Sequence, residues 1–386
     1  MFRNRKGRYT GIFAEQAVVA LILMLSSVSI AETVKQYMSP GLLNVENVFL
    51  AAFMQQHDVE KEVAENAQQN MNVILDNMKN QPYIEAISRG SNLIPYLRSS
   101  GYYEMSSDSI HIDDRHFKTV IKVSDERGAA ILKPDIEEGV WLENRALPDG
   151  TAPVVVSRQF VEKAGWTSAT GKKVMIGRHS VTVVGVVAGL KHEPLIPSSV
   201  TVVIPEYLFA NHSGLVEFTV KVKKGMKKEF MTSFFKEFRR MNPDKRLEPL
   251  AYSIDEMKGS MLSSSIQDIA LQAIPTLFLF IIAFIGTFGL SWIFAQKRLR
   301  EFALRIALGS TTSRLMTIVI GESLLITGIA VIPALLLSYF IYDYTDVHII
   351  GVGVTVLIML LFSAVSAWYP AWKVSKVNPS EALKYE

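Results

Sequence analysis

Cysteine is absent from the 386 residues, which excludes disulfides and thiolate metal sites. Net charge is almost absent as well. The 40 Lys and Arg residues face 37 Asp and Glu, so no charge excess points to nucleic acid as a partner. Charge is missing most tellingly in four stretches. Ala17 to Ala31, Ile269 to Gln296 and Ile349 to Trp372 carry none, and Leu315 to Tyr342 carries only Glu322. The last three exceed the roughly 20 apolar residues that a bilayer core of about 30 Å demands of a helix, and are read as membrane spans. The partner implied is membrane lipid.

The first stretch has a rival reading as a cleaved signal peptide, with Ser29-Ile30-Ala31 as the cleavage site. An uncleaved span is preferred, because the apolar pattern extends back through Phe13 and Ile12 to span length. Basic residues cluster in the N-terminus (Arg3, Arg5, Lys6, Arg8), after the second span (Lys297, Arg298, Arg300, Arg305, Arg314) and in the tail (Lys373, Lys376, Lys384), while Asp343 to His348 has no Lys or Arg. The positive-inside rule then sets both termini of a multi-pass chain in the cytoplasm. The expected map runs as follows: cytoplasmic N-terminus 1–11, span 12–31, extracytoplasmic domain with stalk helices 32–266, span 267–296, cytoplasmic segment 297–313, span 314–342, outer loop 343–348, span 349–372 and cytoplasmic tail 373–386.

Within the large domain, Val59, Val63, Ala67, Met71, Ile74 and Met78 recur at helical spacing, in a helix that can continue from the first span. Six strand-like runs follow: "FKTVIKV", "PVVVS", "KKVMI", "SVTVVGVVAGL", "VTVVI" and "VEFTVKVK". Met226, Phe230, Phe234, Phe238 and Met241 then stripe a second helix, and Asn242 to Pro249 reads as a connector. Ser253 to Ile266 is helix-compatible and extends the second span outward as a stalk. The domain is α+β, in two subdomains, with helices packed on one face of a β-rich piece.

Catalytic signals are mostly lacking. "GWTSATGKK" places five residues between Gly165 and Gly171 where the Walker pattern has four, and Lys173 where Ser or Thr would bind magnesium; a helix-to-strand turn is the better reading. His111, Asp113, Asp114 and His116 match no defined zinc spacing, so a solvated turn is preferred to a metal site. The chain is not expected to be an enzyme by itself. Glu322 is the strong acid well inside a span, where a carboxylate costs about 2.5–3.5 kcal/mol on insertion scales; a packing hydrogen bond is preferred over a proton or substrate pathway.

Between the second and third spans lies "REFALRIALG", residues 300–309. On a helical wheel Arg298, Glu301 and Arg305 share one side, Leu299, Phe302 and Ile306 the next, and Leu304 with Leu308 a third. A helix resting on lipid needs one apolar face, so the additional leucines argue for contact with protein. An ordinary interfacial loop would explain the arginines but not Leu304 and Leu308. Gly309 can end the helix in the left-handed conformation, and Ser310 to Ser313 supply caps for the next span.

These residues resemble a known family. "QKRLREFALRIALGSTTSRLMTIVIGESLLI" is similar to the signature of FtsX-like permeases, the membrane subunits of ABC systems of the macrolide-exporter (MacB) kind. "PAWKVSKVNPSEALKYE" resembles the family's ending, and "VVVSRQFVEKAGWTSATGKKVMIGRHSVTVVGVV" its extracytoplasmic core. Phe302 and Ala303 stand where isoleucine and glycine are common. The resemblance implies an α-helical membrane protein with four transmembrane helices and a large α+β MacB-like periplasmic core between the first and second. It implies that Arg298, Leu299, Glu301, Phe302, Leu304, Arg305, Ile306, Leu308 and Gly309 form a coupling helix seated on a separate ABC ATPase subunit. ATP and magnesium would then be bound by that subunit and no cofactor directly by this chain. It further implies a second permease copy, as a homodimer or paralogous heterodimer, with a periplasmic adaptor or outer-membrane protein as a further partner. The expected work is export or extraction of peptide, lipoprotein or hydrophobic cargo by transmitted motion; the alternative is activation of a wall hydrolase, as in the family's cell-division members.

Overall fold

The computed structural model describes residues 6–97, 106–112, 115–209, 217–341 and 345–376. The chain divides into two units, Gln36–Ser265 and Met1–Lys35 with Ile266–Glu386.

In chain order the elements begin with helix α1 (Lys6–Met38), strand β1 (Val48–Gln55), α2 (Lys61–Met78), β2 (Ile84–Ser91), β3 (Ser106–Ile112) and β4 (Arg115–Ser124). There follow α3 (Gly128–Leu132), β5 (Ile136–Gly139), β6 (Ala152–Ser157), α4 (Arg158–Ala164), β7 (Lys173–Ile176), β8 (His179–Val187) and β9 (Thr201–Pro205). The unit closes with α5 (Glu206–Phe209), β10 (Glu217–Val222), α6 (Lys227–Met241) and β11 (Leu247–Ser253). Helices α7 (Ile254–Lys297), α8 (Leu299–Ala307), α9 (Thr312–Ile341) and α10 (Asp346–Ser375) complete the described chain.

All the strands join one mixed sheet in the order β11-β1-β10-β2-β4-β9-β6-β8-β5, with β3 on β4 and β7 on β8. The β4–β9 and β6–β8 pairs are parallel and the others antiparallel. Each of the six strand-like runs supplies most or all of a strand, β4 and β6 to β10. A single sheet therefore runs through what the sequence divides into two subdomains. Helix α2 does not continue from the first span, because β1 lies between them, and the connector at 242–249 gives its last residues to β11.

Two faces of β1 carry two cores. Val48, Leu50 and Ala52 point to a cluster with Tyr96, Val155, Val187 and Val203. Phe49, Ala51 and Phe53 point to the opposite cluster, where α2 and α6 pack. There the aromatic stripe of α6 is fully buried. Phe230 lies 5.2 Å from Phe49 and Phe238 lies 5.8 Å from Phe53, ring centre to ring centre. Truncating any such ring to Ala costs about 3–5 kcal/mol.

The other unit is a helix bundle. Four helices, Phe13–Met38 of α1, α7, α9 and α10, are long and apolar enough to cross a membrane. The 44 residues of α7 rise roughly 66 Å at 1.5 Å per residue, more than twice a bilayer core, and the stretch read as helix-compatible, Ser253 to Ile266, is helical from Ile254 onward. Val19, Ala20, Met24 and Val28 of α1 are buried against Ala283, Val331, Met359 and Phe362. At Gly351 the backbone of α10 comes so close to α1 that a Cβ would sit 2.8 Å from the Val28 Cα, the small-residue contact that membrane helices use in place of a hydrophobic driving force.

Candidate functional site

The segment at 297–313 contains the short helix α8, Leu299–Ala307, between α7 and α9. Its stop is the expected one. Gly309 has φ +89°, its N–H donates to the Ile306 carbonyl at 2.9 Å, and Ser310 N–H donates to Arg305 at 2.9 Å. Thr311 Oγ1 then accepts from Arg314 N–H at 3.4 Å, at the entry to α9.

The three sides read from the sequence acquire different roles. Phe302 and Ala303 are buried, and Phe302 packs with Ala295, Leu315 and Val374, with Leu299, Ile306 and Val319 partly buried around them. Of the residues expected at a partner, Phe302 is covered by the chain's own α7, α9 and α10, and Leu299 and Ile306 are half-covered there. Leu304 and Leu308 keep 53% and 79% of their surface exposed and are the most open of the large apolar side chains on α8 and its end.

The charged side is a network. Arg298 Nε and Nη2 donate to the Glu301 carboxylate at 3.1 and 3.3 Å, and Arg305 Nη2 donates to Glu301 at 2.7 Å. Hydrogen bonding from Arg298 holds the Glu301 carboxyl below its usual range. Arg298 Nη1 also donates to Glu322 of α9, and its guanidinium lies 5.0 Å from the Phe302 ring centre. Glu322 is therefore paired with the root of α8, and the packing role expected for it takes the form of an ion pair between helices.

Sequence reasoning missed the uncharged polar residues of the bundle. Gln16, 1% exposed, accepts from Thr327 at 2.9 Å, and the Ser323 and Ser363 hydroxyls lie 2.8 Å apart. These bonds tie α1 to α9 and α9 to α10. The available signal was Gln16 itself, an amide inside an apolar run, which a lipid environment drives to find a partner.

The loop at 165–173 is a turn, as expected. Gly165 has φ +73° at the end of α4, and the amides that could have cradled a phosphate are taken by Glu138. Its carboxylate accepts from Ser168 Oγ at 2.5 Å, Thr170 N–H at 3.0 Å and Ala169 N–H at 3.4 Å. His111 and His116 are register partners across the β3–β4 hairpin, whereas Asp113 and Asp114 lie outside the described residues, as do residues 377–386 of the family-like tail.

Two family models match. Residues 274–379 match the FtsX-like permease C-terminal model, and residues 17–229, more than half of the chain, match the MacB-like periplasmic core domain. The macrolide export ATP-binding/permease protein MacB 1 of Yersinia pestis bv. Antiqua (strain Antiqua) is 22% identical over 323 residues, covering 80% of this chain and 48% of that protein. MacB of Syntrophobacter fumaroxidans is 24% identical over 163 residues, 39% of this chain and 22% of that one. The chain thus spans about half the length of the curated relatives it matches, 48% for the first. A crystal structure of the periplasmic region of MacB from Actinobacillus actinomycetemcomitans aligns over 56% of this chain and 92% of that chain, at 13% identity and a TM-score of 0.40.

Proposed function

The chain belongs to the MacB-like family of FtsX-type ABC transporter permeases, and on that premise we propose that it docks an ATP-hydrolysing subunit at Leu304 and Leu308 and passes the resulting motion to its α/β domain. Membership also makes it a multi-pass membrane protein, consistent with its four long apolar helices. The observation that carries the reading is the division of labour on α8. One side is anchored in the bundle through Phe302 and the Arg298–Glu322 pair, while Leu304 and Leu308 are open. A helix anchored in this way moves with α9 when something pulls on its open side.

In this reading ATP and magnesium reside on the partner subunit, two permease copies pair through their spans, and cargo is a peptide, lipoprotein or hydrophobic compound moved from the outer side. Both termini lie in the cytoplasm of an inner-membrane protein. Helices α1 and α7, each continuous across the boundary between the units, are the mechanical links.

The test is co-purification from detergent-solubilised native membrane with Leu304→Glu and Leu308→Glu introduced together. Wild type should retain a Walker-motif ATPase, and the double variant should insert normally but lose it. Equal retention by both would remove α8 as the docking element.

A further inference from the structure

Helices α1 and α7 join the α/β unit in different ways. Strand β11 ends at Ser253 and α7 begins at Ile254, with no residue between them. Ile254 is fully buried in the core against which Met257 and Met261 also pack. Helix α1 instead ends at Met38, and β1 starts only at Val48. Between them Gly41 has φ +106°, a conformation that glycine adopts at no steric cost, and the chain turns there. A glycine turn left to itself is a hinge.

The segment 189–198 closes over that hinge. Lys191, 1% exposed, donates from Nζ to the Gln36 carbonyl, and lies 3.4 Å from the Pro194 carbonyl oxygen and 3.5 Å from that of Tyr37. Gln36 and Tyr37 belong to the last turn of α1, inside the α/β unit, where helix carbonyls lack partners along the helix and form the negative end of its dipole. A buried ammonium is costly, and here a helix terminus offsets that cost. The backbone is fastened as well. Lys191 N–H donates to the Gly41 carbonyl at 3.0 Å, and Ser198 Oγ donates to the Pro40 carbonyl at 3.2 Å. A Cβ at Gly41 or at Gly189 would lie 2.3 Å from the Ser198 oxygen, so these stretches of chain meet backbone to backbone.

We infer that the segment 189–198 is a strap that locks the Gly41 hinge, with Lys191 as its latch, so that α1 meets the α/β domain as a rigid arm. An apolar side chain at 191 would fill the same space and let the end of α1 rotate or slide. A cation holds only where the terminal carbonyls converge. The inference rests on the reading that α1 passes motion to the domain, since a free hinge at Gly41 would absorb that motion before it arrived.

The test is hydrogen exchange followed by mass spectrometry on the full chain in detergent, as wild type, Lys191→Met and Ser198→Ala. Lys191→Met keeps the apolar stem and removes the charge. Exchange of residues 36–43 and 189–198 should rise together by about tenfold, the lower end for a lost hydrogen bond to a charged group. Residues 254–261 at the start of α7 should keep the wild-type rate, because local opening leaves the rest of the fold closed. Ser198→Ala leaves the ammonium in its site and should speed the same two segments about fivefold, the loss of one neutral hydrogen bond. It decides the matter if Lys191→Met does not fold. Wild-type exchange of both segments in the folded variants, or an equal rise at 254–261, would overturn the strap. The measurement needs no ATPase, so failure of the docking reading and failure of the strap appear in separate experiments.

Discussion

Arg298, the residue that caps the start of α8, donates to Glu322, about two turns beyond Arg314 in α9. A carboxylate in an apolar span is thereby matched by a cation from the neighbouring helix, and each explains why the other is tolerated. The guanidinium is 15% exposed and the carboxylate 51%, so the pair lies between the buried and the solvated limits. Glu322→Ala should weaken the hold on α8 by about 1 kcal/mol, read as faster hydrogen exchange of the α8 amides in detergent. Exchanging the two residues, Arg298→Glu with Glu322→Arg, should recover part of that protection. Exchange in Glu322→Ala identical to wild type would show that Phe302 alone holds the helix.

Phe302 and Leu304, two residues apart, should fail in different ways. Phe302→Ala empties a buried site and should cost about 3–5 kcal/mol, seen as a lower unfolding temperature. Leu304→Ala touches an exposed side chain, so stability should stay within about 0.5 kcal/mol while ATPase co-purification weakens. If both variants lower stability alike, α8 has no open face.

Gly351 and Gly353 make a matched pair within α10. A Cβ at 351 would meet Val28 backbone atoms at 2.8 Å, whereas nothing lies within 4 Å of one at 353. Gly351→Val should cost about 1–3 kcal/mol by forcing α1 and α10 apart, and Gly353→Ala should change stability by less than about 1 kcal/mol. Thermal unfolding of the two variants in one detergent decides it.

Glu138 should lend the α/β domain an acid-sensitive increment of stability. Hydrogen bonds from Ser168, and then from Thr170, lower its carboxyl from 4.5 to about 2. A depressed carboxylate stabilises the fold above the ordinary value, and that contribution is lost as pH falls from about 4.5 towards 2. Ser168→Ala should raise the carboxyl towards its ordinary value, so wild type should be the more stable at pH 7. The gap should close between pH 4.5 and 2 in chemical denaturation; a gap constant across that window would exclude Glu138 as its source.

Legibility followed physical type. Strands β4 and β6 to β10 were readable because β-branched runs bounded by turns mark them. Strand β1, "VFLAAFMQ", is buried on both faces and shows no alternation to detect. Strand β11 contains Pro249, which argues against a strand, and the structure tolerates it at the sheet's edge. Gln16 was legible in kind but not in partner, since Thr327 lies 311 residues away.

The four long apolar helices, and the helix that joins the second to the third, follow from local composition. Depletion of charge over some 20 residues and a glycine stop are properties of the chain in one dimension. Which side of α8 is open depends instead on packing between helices. Leu299, Phe302, Leu304, Ile306 and Leu308 are all apolar, and nothing local separates them. The separation comes from Ala295, Leu315 and Val374 on three other helices, which close over Phe302 and leave Leu304 and Leu308 without cover.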